Sequence, residues 1–284
     1  MSNALIADRN RFAQYHPESR IRLGGHEWGL IEAGSEGPVL VLIPGTLGRA
    51  DIFWQQIEAL TDRARVLAVA YPAEGGVAQW ADDIAQLLDE RGIEQATLLG
   101  SSLGGYVVQY FAAIHPGRVD RMIAANTLHS VAEIRDRPPY SSDLDNGPID
   151  ELRAGFGNGL KAWAETHPDQ ADLVALLLAE VGGRIPESEL RMRLKALKEG
   201  PELPALSLPR ARVVTVEGDD DPLIPPPMRA AVRARLAPSV AYRFAWGGHF
   251  PYVVRPRLYT ALLEEQLGLV ADGADWGQGE VRVR

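Results

Sequence analysis

Apolar residues along the chain fall into short unbroken runs and longer stripes with a period near 3.6. The run Val39–Ile43 is apolar at every position, as a strand covered on both faces should be, and Pro44-Gly45 ends it. Residues 66–70, 96–99, 121–126, 212–216 and 240–245 read as further strands, with 20–22 and 28–32 as a leading pair joined at Gly24-Gly25. Helices are expected between them. Over 52–60, Ile52, Gln56 and Leu60 recur at i, i+4 and i+8 beside Phe53 and Ile57. Over Val77–Glu90, Trp80, Ile84, Leu87 and Leu88 share one face, with Asp82, Asp83, Asp89 and Glu90 mostly off it. Residues 105–114, 227–236 and 256–267 complete the helical series. Strands alternating with helices predict an α/β fold around a mostly parallel sheet.

The rhythm breaks after residue 130. Between 131 and 208 no strand pattern occurs, while 149–164, 170–181 and Glu187–Lys198 read as helices interrupted by Pro138-Pro139, Pro186 and Pro204. A helical cap, or lid, inserted between two strands is expected at 131–208, with 1–130 and 209–270 forming the core. The Gly- and charge-rich stretch 271–284 is expected to be a loosely held tail.

Composition narrows the function classes. The 284 residues are 46% hydrophobic and 24% charged, enough for one large domain with a sizeable core. A net charge of −9 provides no basic face for nucleic acid, so no nucleic-acid partner is expected. No apolar run approaches the roughly 20 residues of a membrane span. The first twenty residues lack the apolar run of a signal peptide, and a cytoplasmic location is expected. The chain has no cysteine, which excludes disulfides, thiolate metal sites and a cysteine nucleophile together. No H-E-x-x-H is present and the Asp219–Asp221 run lacks the spaced ligands of a calcium loop, so no metal or other cofactor is implied.

Gly100-Ser101-Ser102-Leu103-Gly104 fits G-x-S-x-G and lies between the strand at 96–99 and the helix that follows. A strand–turn–helix this tight leaves no room for side chains at the flanking positions, hence glycine at 100 and 104. Ser102 would stand at a helix N-terminus, whose N–H groups favour an anion forming beside it. A phosphate-binding turn would instead show G-x-G-x-x-G, which is absent there.

A serine hydroxyl needs a base. Of the six histidines, His16 and His26 lie on polar N-terminal stretches, His115 ends a helix and His167 lies inside the cap. His129 follows a strand and is the second candidate. His249, in Trp246-Gly247-Gly248-His249-Phe250-Pro251 directly after the last core strand, is the first. The base needs an acid to fix its tautomer. Glu217-Gly218-Asp219-Asp220-Asp221-Pro222 follows the strand at 212–216, and Asp221 is the candidate, with Asp220 and then Asp219 behind it. Asn126 and Thr127, after the preceding strand, carry no carboxylate. Ser102, Asp221 and His249 each stand just past the C-terminal end of a different strand, on the rim where sites of open parallel sheets form. The backbone N–H of Leu103 and that of Thr46, in Pro44-Gly45-Thr46-Leu47-Gly48, are the candidate oxyanion-hole donors.

Together these residues resemble the α/β-hydrolase superfamily over roughly 20–268. The resemblance implies an eight-stranded, mostly parallel sheet, a helical cap after the sixth strand and a Ser102–His249–Asp221 triad. The oxyanion loop, which often begins His-Gly in that superfamily, begins Pro44-Gly45 here. Ala50-Asp51-Ile52-Phe53, Tyr71-Pro72, residues 100–105 and Gly247-Gly248-His249-Phe250-Pro251-Tyr252 further resemble maspardin and related proteins. Maspardin looks like a non-catalytic binding protein lacking the histidine of that last stretch, whereas this sequence has His249. Serine at 102 sets aside members that attack with a carboxylate. The expected function is hydrolysis of a carboxylic ester in a small acyl substrate through an acyl-enzyme. C–C bond hydrolysis or acyl transfer by the same triad, and a non-catalytic maspardin-like binding protein, are the alternatives.

Overall fold

The computed structural model describes residues 3–132, 134–271 and 274–284. Its strands are β1 (Ser19–Leu23), β2 (His26–Ala33), β3 (Val39–Ile43), β4 (Arg65–Ala70), β5 (Ala96–Ser101), β6 (Val119–Ala125), β7 (Val213–Gly218), β8 (Val240–Phe244) and β9 (Val281–Val283). They form one sheet in the order β1-β2-β4-β3-β5-β6-β7-β8-β9. The β1–β2 and β2–β4 pairs are antiparallel and every later pair is parallel.

Side-chain alternation divides the core between the two faces of this sheet. Leu40 and Leu42 enter one cluster, Val41 and Ile43 the other. The first face is covered by α1 (Ala4–Tyr15), α2 (Trp54–Leu60) and α10 (Pro256–Gln266), through Phe12, Ile57, Leu60, Tyr259, Leu262 and Leu263. The second is covered by α3 (Val77–Glu90), α4 (Leu103–Ile114) and α8 (Pro226–Leu236), through Trp80, Ile84, Val107, Phe111, Met228 and Val232. One short further helix, α9 (Pro251–Val254), precedes α10.

Three features differ from the sequence reading. Asp83 is buried on the inner side of α3, where it accepts from His26 Nδ1 at 2.7 Å and Trp28 Nε1 at 2.8 Å; two donors on β2 make its burial tolerable. Helix α1 shows no clear apolar stripe. It is capped by the Asn3 side chain on the N–H of Ile6 and held by burial of Phe12 and of Arg9, which pairs with Glu180. The sheet has nine strands, not eight, because the stretch 271–284 carries β9. Trp276 is buried there, meets Tyr242 and Phe244 edge-on at 4.9 and 5.0 Å, and donates to the Leu258 carbonyl at 2.9 Å. One large aromatic thus outweighs the polar composition of its surroundings.

Between β6 and β7 the chain forms α5 (Ile149–Thr166), α6 (Ala171–Ala179), a π-helical turn at Glu180–Arg184 and α7 (Glu187–Lys198). Fully buried Arg193 on α7 donates to the carbonyls of Thr46 at 3.1 Å and Gly48 at 2.7 Å and to Glu189 at 3.0 Å. Glu189 also receives Arg49 at 3.0 Å, and Glu18 completes the chain. Arg184 pairs with both Glu180 and Asp51. Among the described residues, no helix is long and apolar enough to cross a membrane.

The role of the C-terminal stretch is testable. Trp276→Ala should lower the unfolding free energy by about 3–5 kcal/mol in urea denaturation. A loss below about 1 kcal/mol would mean that β9 and its tryptophan add nothing to the core.

Candidate active site

Ser102 sits where β5 gives way to α4, with φ 55° and ψ −116°. A side-chain-bearing residue at positive φ costs roughly 1–3 kcal/mol, so the surroundings must enforce it. They do so by exclusion and by hydrogen bonds. A Cβ at Gly100 would overlap the Gly104 carbonyl, and one at Gly104 would overlap the carbonyls of Ile43 and Pro44. The Ser102 N–H donates to the Ala125 carbonyl at 2.9 Å, and the Thr127 hydroxyl donates to the Ser102 carbonyl at 2.7 Å. Ala125 at the end of β6 and Thr127 just past it therefore anchor the turn. Leu103 opens α4, and its N–H belongs to the first turn, which has no intrahelical acceptor.

The loop after β3 lies against this turn. A Cβ on Gly45 would stand 3.1 Å from that of Ser102. The Gly45 carbonyl accepts from Gly48 N at 3.2 Å, which turns the Thr46 N–H of the same trans peptide the opposite way. The loop is braced from behind. Tyr71 Oη donates to the Pro44 carbonyl at 2.8 Å, and Arg193 holds the Thr46 and Gly48 carbonyls. Burial pushes the Arg193 guanidinium down to about 10, which leaves it charged at neutral pH.

The three aspartates after β7 divide their work. Asp219 pairs with Arg243 at 2.8 Å. Asp220 accepts from the N–H groups of Gly247 at 3.0 Å and Gly248 at 2.9 Å, so it shapes the loop that carries His249. Gly247 and Gly248 sit at φ 135° and 59°, a path that glycine takes without strain. Asp221 meets His249 itself, with Oδ2 at 2.8 Å and Oδ1 at 3.1 Å from Nδ1. Asp221 also accepts from Asn126 Nδ2 at 2.9 Å and from the N–H groups of Leu223 and Ile224 at 2.9 and 3.1 Å. Burial alone would raise its carboxyl. His249, the Asn126 amide and the Leu223 N–H outweigh that and hold it below the usual carboxylate range. Sequence reasoning passed over Asn126, whose one signal was its place just past the strand β6; it sits at φ 44°.

Ser102, Thr46 and His249 line one cavity of about 650 Å³, large enough for a drug-sized ligand. Its remaining wall is mostly apolar and includes Phe156, Leu160 and Trp163 from α5, Leu173, Val174 and Leu177 from α6, and Leu223 and Phe250. Of the six histidines only His249 lines it among the described residues; His129, the second candidate, lies half-buried beyond Leu128. His26 and His115 bond to Asp83 and Asp82, while His16 and His167 stack on Phe12 and Trp163.

The lowered pKa of Asp221 fixes a sign. A carboxyl depressed in the folded state adds stability above its unfolded value, near ~3.9, and loses it as pH falls toward the lower folded value. Denaturation of wild type and Asp221→Asn across pH should show a stability gap that is full above pH ~5 and shrinks below ~4. A gap independent of pH would contradict the assignment.

Comparison with known proteins follows this geometry. "Putative carbamate hydrolase RutD" of Caulobacter sp. (strain K31) is 26% identical over 243 residues, 78% of this chain and 87% of that protein. Maspardin of Rattus norvegicus is 39% identical over 88 residues, but the match covers only 30% of this chain and 34% of maspardin. Among solved structures, a hydrolase from Pseudomonas aeruginosa PA01 superposes with a TM-score of 0.73 at 22% identity, covering 89% of this chain and 98% of that one. The enol-lactonase from Burkholderia xenovorans LB400 does so with a TM-score of 0.72 at 18% identity, covering 88% and 100%. These structures share the fold. The model of the alpha/beta hydrolase fold family matches residues 38–256, most of the chain, and the protein belongs to that family.

Proposed function

We propose that this α/β hydrolase is a serine hydrolase that cleaves a carboxylic ester, or a related acyl bond, through an acyl-enzyme. The observation that carries the reading is the buried Asp221–His249 pair, whose histidine lines the same cavity as a serine held at positive φ at a helix N-terminus. With Nδ1–H bonded to Asp221, Nε2 is the basic nitrogen of His249. It takes the Ser102 Oγ proton as Oγ attacks the carbonyl carbon, and the carbonyl electron pair moves onto oxygen. The N–H groups of Leu103 and Thr46 receive that oxyanion. Collapse expels the alcohol oxygen, which takes the proton from His249. Water then attacks the acyl-enzyme, His249 removes its proton, and the acid leaves as Ser102 Oγ is reprotonated. The helices of 131–208 act as a lid whose apolar underside keeps water from the site.

The relatives' names accord with this chemistry, since the carbamate of one and the enol-lactone of another present the same electrophilic acyl carbon. The likeness to maspardin is weaker support for a binding role, because it covers about a third of either chain and His249 keeps its acid.

Hydrolysis of p-nitrophenyl esters by the wild type should show a burst of nitrophenolate as the acyl-enzyme accumulates. Ser102→Ala should lose at least roughly 10³-fold in kcat while unfolding cooperatively as before, and Asp221→Asn should lose on the order of 10³–10⁴-fold by favouring the wrong tautomer. Turnover surviving Ser102→Ala would sink the reading.

A further inference from the structure

Most of the cavity wall is apolar, yet one side chain on it is held with an unused donor. Gln170, in the turn between α5 and α6, is 5% exposed and lines the cavity. Trp163 Nε1 donates to its Oε1 at 3.0 Å. An indole N–H can only donate, so this bond fixes the amide one way round, with Oε1 toward Trp163 and the Nε2 amino group turned away. Among the described residues Nε2 has no hydrogen-bond partner, on a residue that lines the cavity.

The indole is itself clamped. Its ring stacks on His167 at 3.6 Å and 9°, and His167 Nδ1 meets the Thr166 hydroxyl at 2.9 Å. The pair also stands beside the proposed catalytic loop: a Cβ on Gly248, the residue before His249, would lie 3.7 Å from the Trp163 ring and 4.0 Å from Gln170 Oε1. A donor fixed in direction on a residue of a mostly apolar cavity wall discriminates by being left unpaired when an all-carbon group faces it.

We propose that Gln170 is a specificity-determining residue, and that the site takes an apolar ester with a second hydrogen-bond acceptor, an ether or carbonyl oxygen, a few atoms from the bond cleaved. The inference rests on the serine-hydrolase reading. Trp163 is the positioning residue that keeps the amide the right way round.

The experiment pairs all-carbon esters with isosteres carrying one ether oxygen at successive positions. These are p-nitrophenyl esters varied in the acyl chain and butyrates varied in the alcohol. They are assayed on wild type, Gln170→Leu, Gln170→Glu and Trp163→Phe, with fluorophosphonate labelling of Ser102 measured in parallel. At one oxygen position, wild type should prefer the oxygen-bearing ester roughly tenfold in kcat/KM. Gln170→Leu should abolish that preference, Trp163→Phe should weaken it, and Gln170→Glu should remove or reverse it, while Ser102 labelling reports any change common to both members of a pair. The ratio matters because a merely structural role would lower both members of a pair alike. Equal ratios in wild type and Gln170→Leu at every position overturn the inference. If wild-type Ser102 is not labelled, the hydrolase reading fails instead. The amide analogues of the same pairs, titrated calorimetrically into wild type and Gln170→Leu, then decide Gln170 alone by the same ratio of affinities.

Discussion

A carboxylate fully removed from water beside one imidazole is the constraint around which the rim of this sheet is arranged. Burying an unpaired charge costs several kcal/mol, so Asp221 must collect donors wherever the fold can supply them. They come from three places: the amide of Asn126 after β6, the N–H groups of its own turn, and the His249 ring after β8. That convergence requires β6, β7 and β8 to be adjacent and parallel, as they are. Asp220 serves the same end by pinning the glycines before His249.

The helices between β6 and β7 are tied down by charge as well as by packing. Glu180, wholly buried, gathers Arg9 from α1 and Arg184, and Arg184 reaches Asp51. Arg193 and Glu189 connect α7 to the loop after β3 and, through Arg49, to Glu18. Removing one partner from such a set leaves the others buried and uncompensated. The loop opposite Ser102 therefore depends on Arg193, 147 positions from Thr46 and 145 from Gly48 in sequence.

Local patterns made much of this legible before the structure. Unbroken apolar runs marked β3 and β4, which are buried along almost their whole length on both faces of the sheet. The tight turn at Ser102 was legible because only glycine fits at 100 and 104, and the Asp221–His249 pair because each residue follows a strand end. What escaped depends on distant partners. Helix α1 is held in part by the Arg9–Glu180 pair, and Asp83 is buried only because His26 and Trp28 lie across from it. β9 is three residues long, too short for a periodic signal, and one tryptophan anchors its approach. Asn126 contributes through an amide, which a search for carboxylates passes over. The cavity wall, with Gln170 and Trp163 on it, follows from how α5 and α6 lie over the rim and has no local signature.

The central claim is that the fold activates Ser102, and a fluorophosphonate probe reads activation without the natural substrate. Intact mass and peptide mapping should find a single adduct on Ser102, abolished by Ser102→Ala and slowed by at least roughly 10²-fold in His249→Ala. A folded wild-type protein that forms no adduct, or one that labels equally well without His249, would contradict the account.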